Sequence, residues 1–151
     1  MKICLGGDSS SHFVEAIHEH IKARGIETVA CGAMCGREAD YVDAASEVAQ
    51  LVSSGDCDYG VLFCNTGTGV TIVANKFAGV RAAMCYDTFS AEISKLANNA
   101  NVLVLSIRYT GERLGKEIVD KWLDTAPSTE PRRINFHRKT DEVDARTRKR
   151  P

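Results

Sequence analysis

The 151-residue chain has the length of one compact domain, and its 44% hydrophobic residues are enough to form a core. A formal net charge of −1 excludes a general electrostatic attraction to nucleic acid or to an anionic membrane. No apolar run approaches the roughly 20 residues of a membrane span, and the start MKICLGGD lacks the organisation of a signal peptide. We therefore expect a cytoplasmic protein with neither nucleic-acid nor membrane partners.

Apolar strands and amphipathic helices alternate at short intervals along the chain. The predicted strands are residues 2–7, 26–31, 59–64, 80–85 and 101–106. The predicted helices are residues 13–25, 41–55, 69–77, 88–100 and 110–126. This alternation predicts an α/β fold of the Rossmann-like type, a three-layer αβα sandwich around a doubly wound parallel sheet of about five strands.

The end of the chain differs from the rest in charge and in pattern. Residues 131–151 carry eight Arg or Lys and three Asp or Glu, so this segment is net positive while residues 1–130 are net negative. We assign residues 1–126 to the α/β domain and residues 127–151 to a basic, helical C-terminal tail. Such a tail is either a solvated helix or an arm that meets a phosphate.

The six cysteines indicate neither a disulfide framework nor a metal site. The chain is not short and has a core of its own, so reduced thiols are expected. Cys31 and Cys35 have a three-residue gap, and no second Cys or His pair stands at zinc spacing. We therefore predict that the protein has no metal site.

Ligands of doubly wound sheets bind at the carboxyl ends of the strands, and chemistry should therefore be sought there. The predicted strand ends carry Gly6 to Asp8, Cys64 to Gly69, Tyr86 with Asp87, and Ser106 to Arg108.

The sequence CNTGTGV, residues 64–70, is the most informative of these strand ends. A glycine-rich turn that opens a helix presents successive backbone N–H groups, and such a nest favours an anion. It lacks the Gly-Lys-Ser/Thr ending of a Walker loop and the third glycine of Gly-x-Gly-x-x-Gly, so a flavodoxin-like nucleotide binder is a minor alternative.

Cys64 precedes this nest directly, at the last position of a predicted strand. Buried strand cysteines are commonly inert packing residues, and no motif ties His12, His18, His20 or His137 to this thiol. A thiol beside exposed N–H donors can nevertheless serve as a base or a nucleophile. Together, thiol and nest fit the removal of a proton next to a carbonyl, with the nest holding the enediolate oxygen that develops.

The same residues resemble a known family. The stretch CNTGTGVTIVANKFAGVRAAMCYDTFSAEISKLANNANVLVLSIRYTG, with GGD at the start and ADYVDAASEVA between, is similar to the ribose-5-phosphate isomerase type B and galactose-6-phosphate isomerase family over about the first 125 residues. The resemblance implies an aldose–ketose isomerase that acts on a small phosphorylated sugar through a cis-enediolate, without metal or cofactor. It also implies a homodimer or tetramer with each site between two subunits, an interface to which the basic tail contributes.

Residue by residue, the resemblance implies that Cys64 is the base and that Thr66 assists it. The loop residues matching the enediolate-binding turn are Asn65, Gly67, Thr68, Gly69 and Val70. The other residues implied to bind substrate are Asp8, Ser9, Tyr41, Asn98, Arg108, Arg132, Arg133, His137 and Arg138, the last four matching phosphate-binding positions loosely.

Two positions depart from the pattern of the ribose-phosphate isomerases that the chain resembles. Ser9 stands where they have a histidine, and Ala97 stands where they have the histidine that opens the sugar ring. Alanine moves no proton, so either another residue such as His12 opens the ring, or the substrate has no ring. The second alternative points to a tetrulose 4-phosphate and to the D-erythrulose-4-phosphate isomerase branch, while ribose 5-phosphate remains an alternative substrate. A non-catalytic member that serves as a partner subunit or sugar-phosphate sensor is a further alternative.

Overall fold

The fold is organised around one sheet of five strands that all run parallel. The structure is a computed structural model that describes residues 1–148. The strands lie in the order β2-β1-β3-β5-β4, with β1 at Lys2–Gly7, β2 at Glu27–Gly32, β3 at Tyr59–Cys64, β4 at Ala82–Met84 and β5 at Val102–Ser106. The helices are α1 at His12–Ala23, α2 at Tyr41–Ser54, α3 at Thr68–Ala74, α4 at Thr88–Leu96, α5 at Glu112–Asp124 and α6 at Pro131–Thr147.

Helices cover both faces of the sheet, which confirms the predicted αβα sandwich. Alternate residues of a strand point to opposite faces, so each strand contributes to two cores. In β3, Val61 and Phe63 pack with α1, α4 and α5, whereas Leu62 and Cys64 pack with α2 and α3. A parallel sheet buried on both faces needs continuous apolar strands, and this explains runs such as YGVLFC.

Side-chain caps fix where several helices begin, close to the carboxyl ends of the strands. Asp40 accepts hydrogen bonds from the amides of Val42 and Asp43 at the start of α2. Asp87 and Ser90 form a reciprocal capping box at the start of α4, and the Ser90 amide lowers the pKa of the Asp87 carboxyl. Asp87, which follows a strand, therefore has a structural role.

Several predicted elements are longer than the observed ones, and in three of them a turn occupies part of the predicted range. Strand β4 begins only at Ala82, since the amide of Val80 is bonded to Phe77 in a turn. Helix α3 ends at Ala74, where the following amides make tighter bonds to carbonyls three residues back. Helix α4 ends at Leu96, and Asn99 then adopts the left-handed conformation that stops a helix.

The basic tail contains helix α6, which has no buried residue. The helix is joined to the rest of the chain by polar contacts, described with the site below. Residues 149–151 of the predicted tail lie outside the described residues. Among residues 1–148, no helix has both the length and the apolar composition to cross a bilayer.

Candidate active site

Cys64 lies at the carboxyl end of the sheet, beside the point where the strand order reverses. The chain runs from β1 out to β2 and then returns to β3 on the other side of β1. Open α/β sheets bind ligands in the crevice that forms at such a switch point. Cys64 is the last residue of β3 and is 9% exposed, while Asp8 directly follows β1.

The loop after Cys64 is held in place by the end of β5. The Cys64 carbonyl accepts a hydrogen bond from the Ile107 amide at 3.0 Å. The Asn65 carbonyl accepts from the Ser106 hydroxyl at 2.7 Å and from the Arg108 amide at 3.2 Å. Because both carbonyls are fixed, the position of the Cys64 thiol is set by two neighbouring strands rather than by the loop alone.

The turn that follows leaves amide groups without acceptors. Gly67 has a left-handed φ of 85° and caps α3 without any side-chain hydrogen bond. Within residues 1–148, the amides of Gly67, Gly69 and Val70 donate to no protein acceptor, and the Thr68 amide makes a long contact of 3.4 Å with the Thr66 hydroxyl. Such a run of free N–H groups is the arrangement that binds an oxyanion.

Further predicted residues lie at the same end of the sheet. The Tyr41 ring packs so tightly on Gly69 that a Cβ there would be 2.8 Å from a ring carbon. Asp8 and Ser9 follow β1, whose last residue pairs with Phe63 of β3. Arg108, exposed, follows β5. The structure thus brings these residues to the end of the sheet that holds Cys64.

The other core cysteines have environments that suppress their reactivity. Burial raises the pKa of the Cys31 thiol to about 12, and it raises the pKa of the Cys4, Cys57 and Cys85 thiols as well. A thiol kept protonated is a poor nucleophile and a poor base. All six cysteines are free in the structure. Among the described residues, no cluster of three His, Cys, Asp or Glu could hold a metal ion.

A separate group of predicted residues lies in a groove under α6, at the amino end of β4 and β5. The groove encloses about 490 Å³ between α6, the segment 75–83 and the end of α4. Asn98, Arg133 and His137 line it. Ala97, which is 5% exposed, also lines the groove, and its carbonyl is hydrogen-bonded by Nε2 of His137 at 2.9 Å.

Polar contacts hold α6 against the groove. The Gly79 amide donates to Asp144 at 2.8 Å, and Arg148 donates to the Lys76 carbonyl at 2.6 Å. Arg148 and the Gly79 amide together lower the pKa of the Asp144 carboxyl. Arg81, which lines the groove, pairs with Asp141 at 3.4 Å.

Three histidine or arginine candidates are not brought into the groove. Arg138 pairs with Glu142 along the surface of α6, and Arg132 lies over the Phe136 ring at 5.4 Å. His12 is 88% exposed and contacts Glu112 at the start of α5. Since α1 and α5 both begin at the carboxyl end of the sheet, His12 lies far from Ala97 of the same chain.

The two groups of candidate residues therefore lie at opposite ends of the sheet. Cys64 pairs with Ser106 at the carboxyl end of β5, whereas Asn98 precedes its amino end. Strand β5 alone separates these ends by about 13 Å, from a rise of roughly 3.3 Å per residue. Within one chain, the thiol and the groove cannot contact the same small molecule.

Sequence reasoning missed two residues that shape these regions. Ser106 stood at a predicted strand end, but only the structure shows its hydroxyl bonded to the Asn65 carbonyl. Arg81 is the second residue of a predicted strand and belongs to no motif that would place it in the groove.

Comparisons with known proteins agree with the architecture. A profile of the family described as ribose/galactose isomerase matches residues 3–139. Ribose-5-phosphate isomerase B from Escherichia coli is 42% identical over 123 residues, which are 81% of this chain and 83% of that protein. D-erythrulose-4-phosphate isomerase from Pectobacterium atrosepticum is 36% identical over 126 residues, 82% of this chain and 83% of that protein. The structure of ribose-5-phosphate isomerase B from Clostridium thermocellum superposes with a TM-score of 0.89 at 36% identity, covering 97% of this chain and 99% of that one.

Proposed function

The chain belongs to the ribose/galactose isomerase family and is a sugar-phosphate isomerase, and from this premise we propose that Cys64 is its catalytic base. In this proposal the thiolate removes a proton from the carbon next to the substrate carbonyl and delivers it to the carbonyl carbon. The proton of the adjacent hydroxyl moves to the former carbonyl oxygen, so that hydroxyl becomes the new carbonyl. The intermediate is a cis-enediolate, and the products are the aldose and ketose forms of one phosphorylated sugar. The reaction needs no change in oxidation state overall, because one carbon is oxidised as its neighbour is reduced.

The observation that carries this proposal is the position of Cys64 beside the free amides of Gly67, Gly69 and Val70. Negative charge develops on the carbonyl oxygen as the proton leaves, and fixed N–H donors stabilise it without reorganising. A single donor of this kind contributes roughly 3–4 kcal/mol to the transition state. Thr66, whose hydroxyl is near the Thr68 amide, assists at the substrate hydroxyl.

We propose that each complete site is formed by two copies of the chain. The groove residues Asn98, Arg133 and His137 lie at the opposite end of the sheet from Cys64, so one copy presents the thiol and a second presents its groove. In a two-fold dimer this arrangement gives two equivalent sites. Arg133 makes no ion pair within residues 1–148, and its guanidinium is therefore free to bind the phosphate.

The proposed substrate is an acyclic four-carbon sugar phosphate, with D-erythrulose 4-phosphate favoured over ribose 5-phosphate. Esterification of its terminal hydroxyl leaves only three- or four-membered rings, which are too strained to form. Such a substrate needs no group to open a ring, consistent with Ala97 at the position of the ring-opening histidine. The Pectobacterium relative is named for this substrate, and the Escherichia coli relative for ribose 5-phosphate.

The test compares kcat/KM of the purified protein on D-erythrulose 4-phosphate and on ribose 5-phosphate. We expect at least about a tenfold preference for the four-carbon substrate, which corresponds to roughly 1.4 kcal/mol. A preference for ribose 5-phosphate would contradict the acyclic substrate while leaving the isomerase assignment intact. Substrate-dependent exchange of a carbon-bound proton with solvent deuterium is measured in parallel, because a non-catalytic sensor would show none.

A further inference from the structure

The end of helix α4 is capped by a side chain from a distant part of the chain. A helix leaves its last carbonyls without intrahelical partners. The Ser94, Lys95 and Leu96 carbonyls accept from the backbone amides of Ala100, Asn99 and Ser128 at 2.9, 3.0 and 3.0 Å, respectively. The Ala97 carbonyl instead accepts from Nε2 of His137 on α6, at 2.9 Å.

This hydrogen bond determines which nitrogen of the imidazole ring carries a hydrogen in the neutral form. A backbone carbonyl can only accept, so Nε2 must carry the hydrogen. In the neutral ring the other nitrogen, Nδ1, then keeps its lone pair. Among residues 1–148, no protein group is hydrogen-bonded to Nδ1 of His137. The neutral ring therefore offers one fixed, unused acceptor in the groove.

Most charged residues around His137 already have partners within the chain. Asp141 pairs with Arg81, and Asp144 binds Arg148 and the Gly79 amide. Arg133 is thus the groove cation without a carboxylate partner in the described part of the chain. Ala97 contributes only a methyl group. Nδ1 of His137 likewise has no hydrogen-bond partner among the described residues.

We infer that His137 is a substrate-binding, specificity-determining residue that accepts a hydrogen bond from a sugar hydroxyl through Nδ1 while Nε2 stays on the Ala97 carbonyl. The inference rests on the proposed function, and it assigns different parts of the substrate to two residues of the groove. Arg133 binds the anionic end of the substrate, and His137 binds a hydroxyl. This differs from the expectation that His137 occupies a phosphate-binding position.

The hydrogen bond to Ala97 fixes the orientation of the imidazole ring, and a fixed acceptor allows the groove to discriminate between substrates. A site that hydrogen-bonds a hydroxyl rejects an analogue without it, because the acceptor is then left unpaired.

The decisive variant is His137→Gln. The amide nitrogen of glutamine reaches about as far as Nε2 and can keep the hydrogen bond to Ala97, but glutamine has no ring nitrogen in the place of Nδ1. His137→Ala removes both functions. His18→Gln is the matched control, since His18 is hydrogen-bonded to Thr28 at 2.9 Å on α1, away from the groove. Thermal unfolding of each variant reports on the capping role alone.

Binding is measured separately from turnover by calorimetric titration of D-erythrulose 4-phosphate into the Cys64→Ala protein with and without His137→Gln. We expect His137→Gln to keep the wild-type Tm and to weaken binding about tenfold, because the hydroxyl of the substrate loses its acceptor. Unchanged affinity with the Tm preserved, or no binding to the Cys64→Ala protein, would overturn the inference. If the wild-type protein shows no isomerase activity, the proposed function is refuted instead. The two failures are distinguishable because the binding comparison does not depend on turnover.

Discussion

The loop at the carboxyl end of the sheet and the groove at its amino end are built in different ways. The loop is one continuous stretch, residues 64–70, and its proposed binding groups are backbone amides. The groove is assembled from three separate segments of the chain, and its proposed binding groups are the side chains of Asn98, Arg133 and His137. A backbone site tolerates changes of side chain but not of backbone conformation, whereas a side-chain site can be retuned one residue at a time.

The largest expected effect tests whether the two regions act together across subunits. Cys64→Ala should abolish isomerisation, because no other described thiol lies at the turn, and Arg133→Ala should lower kcat/KM at least about tenfold through loss of a charge-assisted hydrogen bond. Mixing the two variants under conditions of subunit exchange should restore about a quarter of the wild-type kcat/KM. Half of the re-formed dimers are hybrids, and each hybrid has one intact site of two.

The control for this mixture is the Cys64→Ala variant mixed with itself. If the mixed variants show no gain over the average of the separate proteins, although subunit exchange is demonstrated by mass, each chain must contain a complete site. That outcome would contradict the shared site.

The second prediction concerns the backbone conformation of the loop, on which its amide groups depend. In Gly67→Ala the new Cβ would overlap Met84 Sδ, and the φ of 85° is unfavourable for alanine. We expect a loss of about 2–4 kcal/mol in the free energy of unfolding, from strain and overpacking together. Gly55→Ala is the matched control, because Gly55 has a φ of 82° with nothing near its Cβ position.

Chemical denaturation of the two variants separates these contributions. Gly55→Ala should cost only about 1 kcal/mol, the strain of the left-handed conformation alone. Equal losses in both variants would show that the packing of Met84 against the turn does not constrain the loop.

The smallest effect concerns stability at the amino end, where a lysine is buried near the groove. Lys95 is 2% exposed, with Nζ at 3.6 Å from the centre of the Tyr59 ring and 4.3 Å from that of Trp122. Burial, and secondarily the charge of Arg81, lowers the pKa of Lys95 to about 8. The folded state therefore binds this proton less tightly than the unfolded state does. The buried ammonium destabilises the fold below pH 8, and this penalty disappears as the pH rises above 8.

The free-energy difference between Lys95→Met and the wild type should change with pH accordingly. From pH 7 to about pH 10.5, the wild type should gain about 2–3 kcal/mol relative to the variant. Guanidinium denaturation at both pH values measures this, with Lys121→Met on the exposed surface of α5 as the control. A difference that does not vary with pH would mean that the aromatic rings hold the ammonium as well as water does.

The sequence by itself determined the αβα sandwich and the turn at Cys64. Apolar periodicity and glycine positions act over a few residues, so the alternation of strands and helices and the strand-to-helix turn are visible in the sequence. The resemblance to sugar-phosphate isomerases rests on that same continuous stretch, and the family comparisons confirm it.

Only the tertiary structure decided which of the remaining residues meet. Ala97 and His137 are 40 residues apart, and Gly79 and Asp144 are 65 apart, so their hydrogen bonds depend on how α6 packs. The same packing places Arg133 in the groove and leaves Arg138 on the surface, although both stand on one helix. Contacts between distant segments follow from the closure of the whole fold, because no local pattern specifies which faces of two remote helices will be brought together.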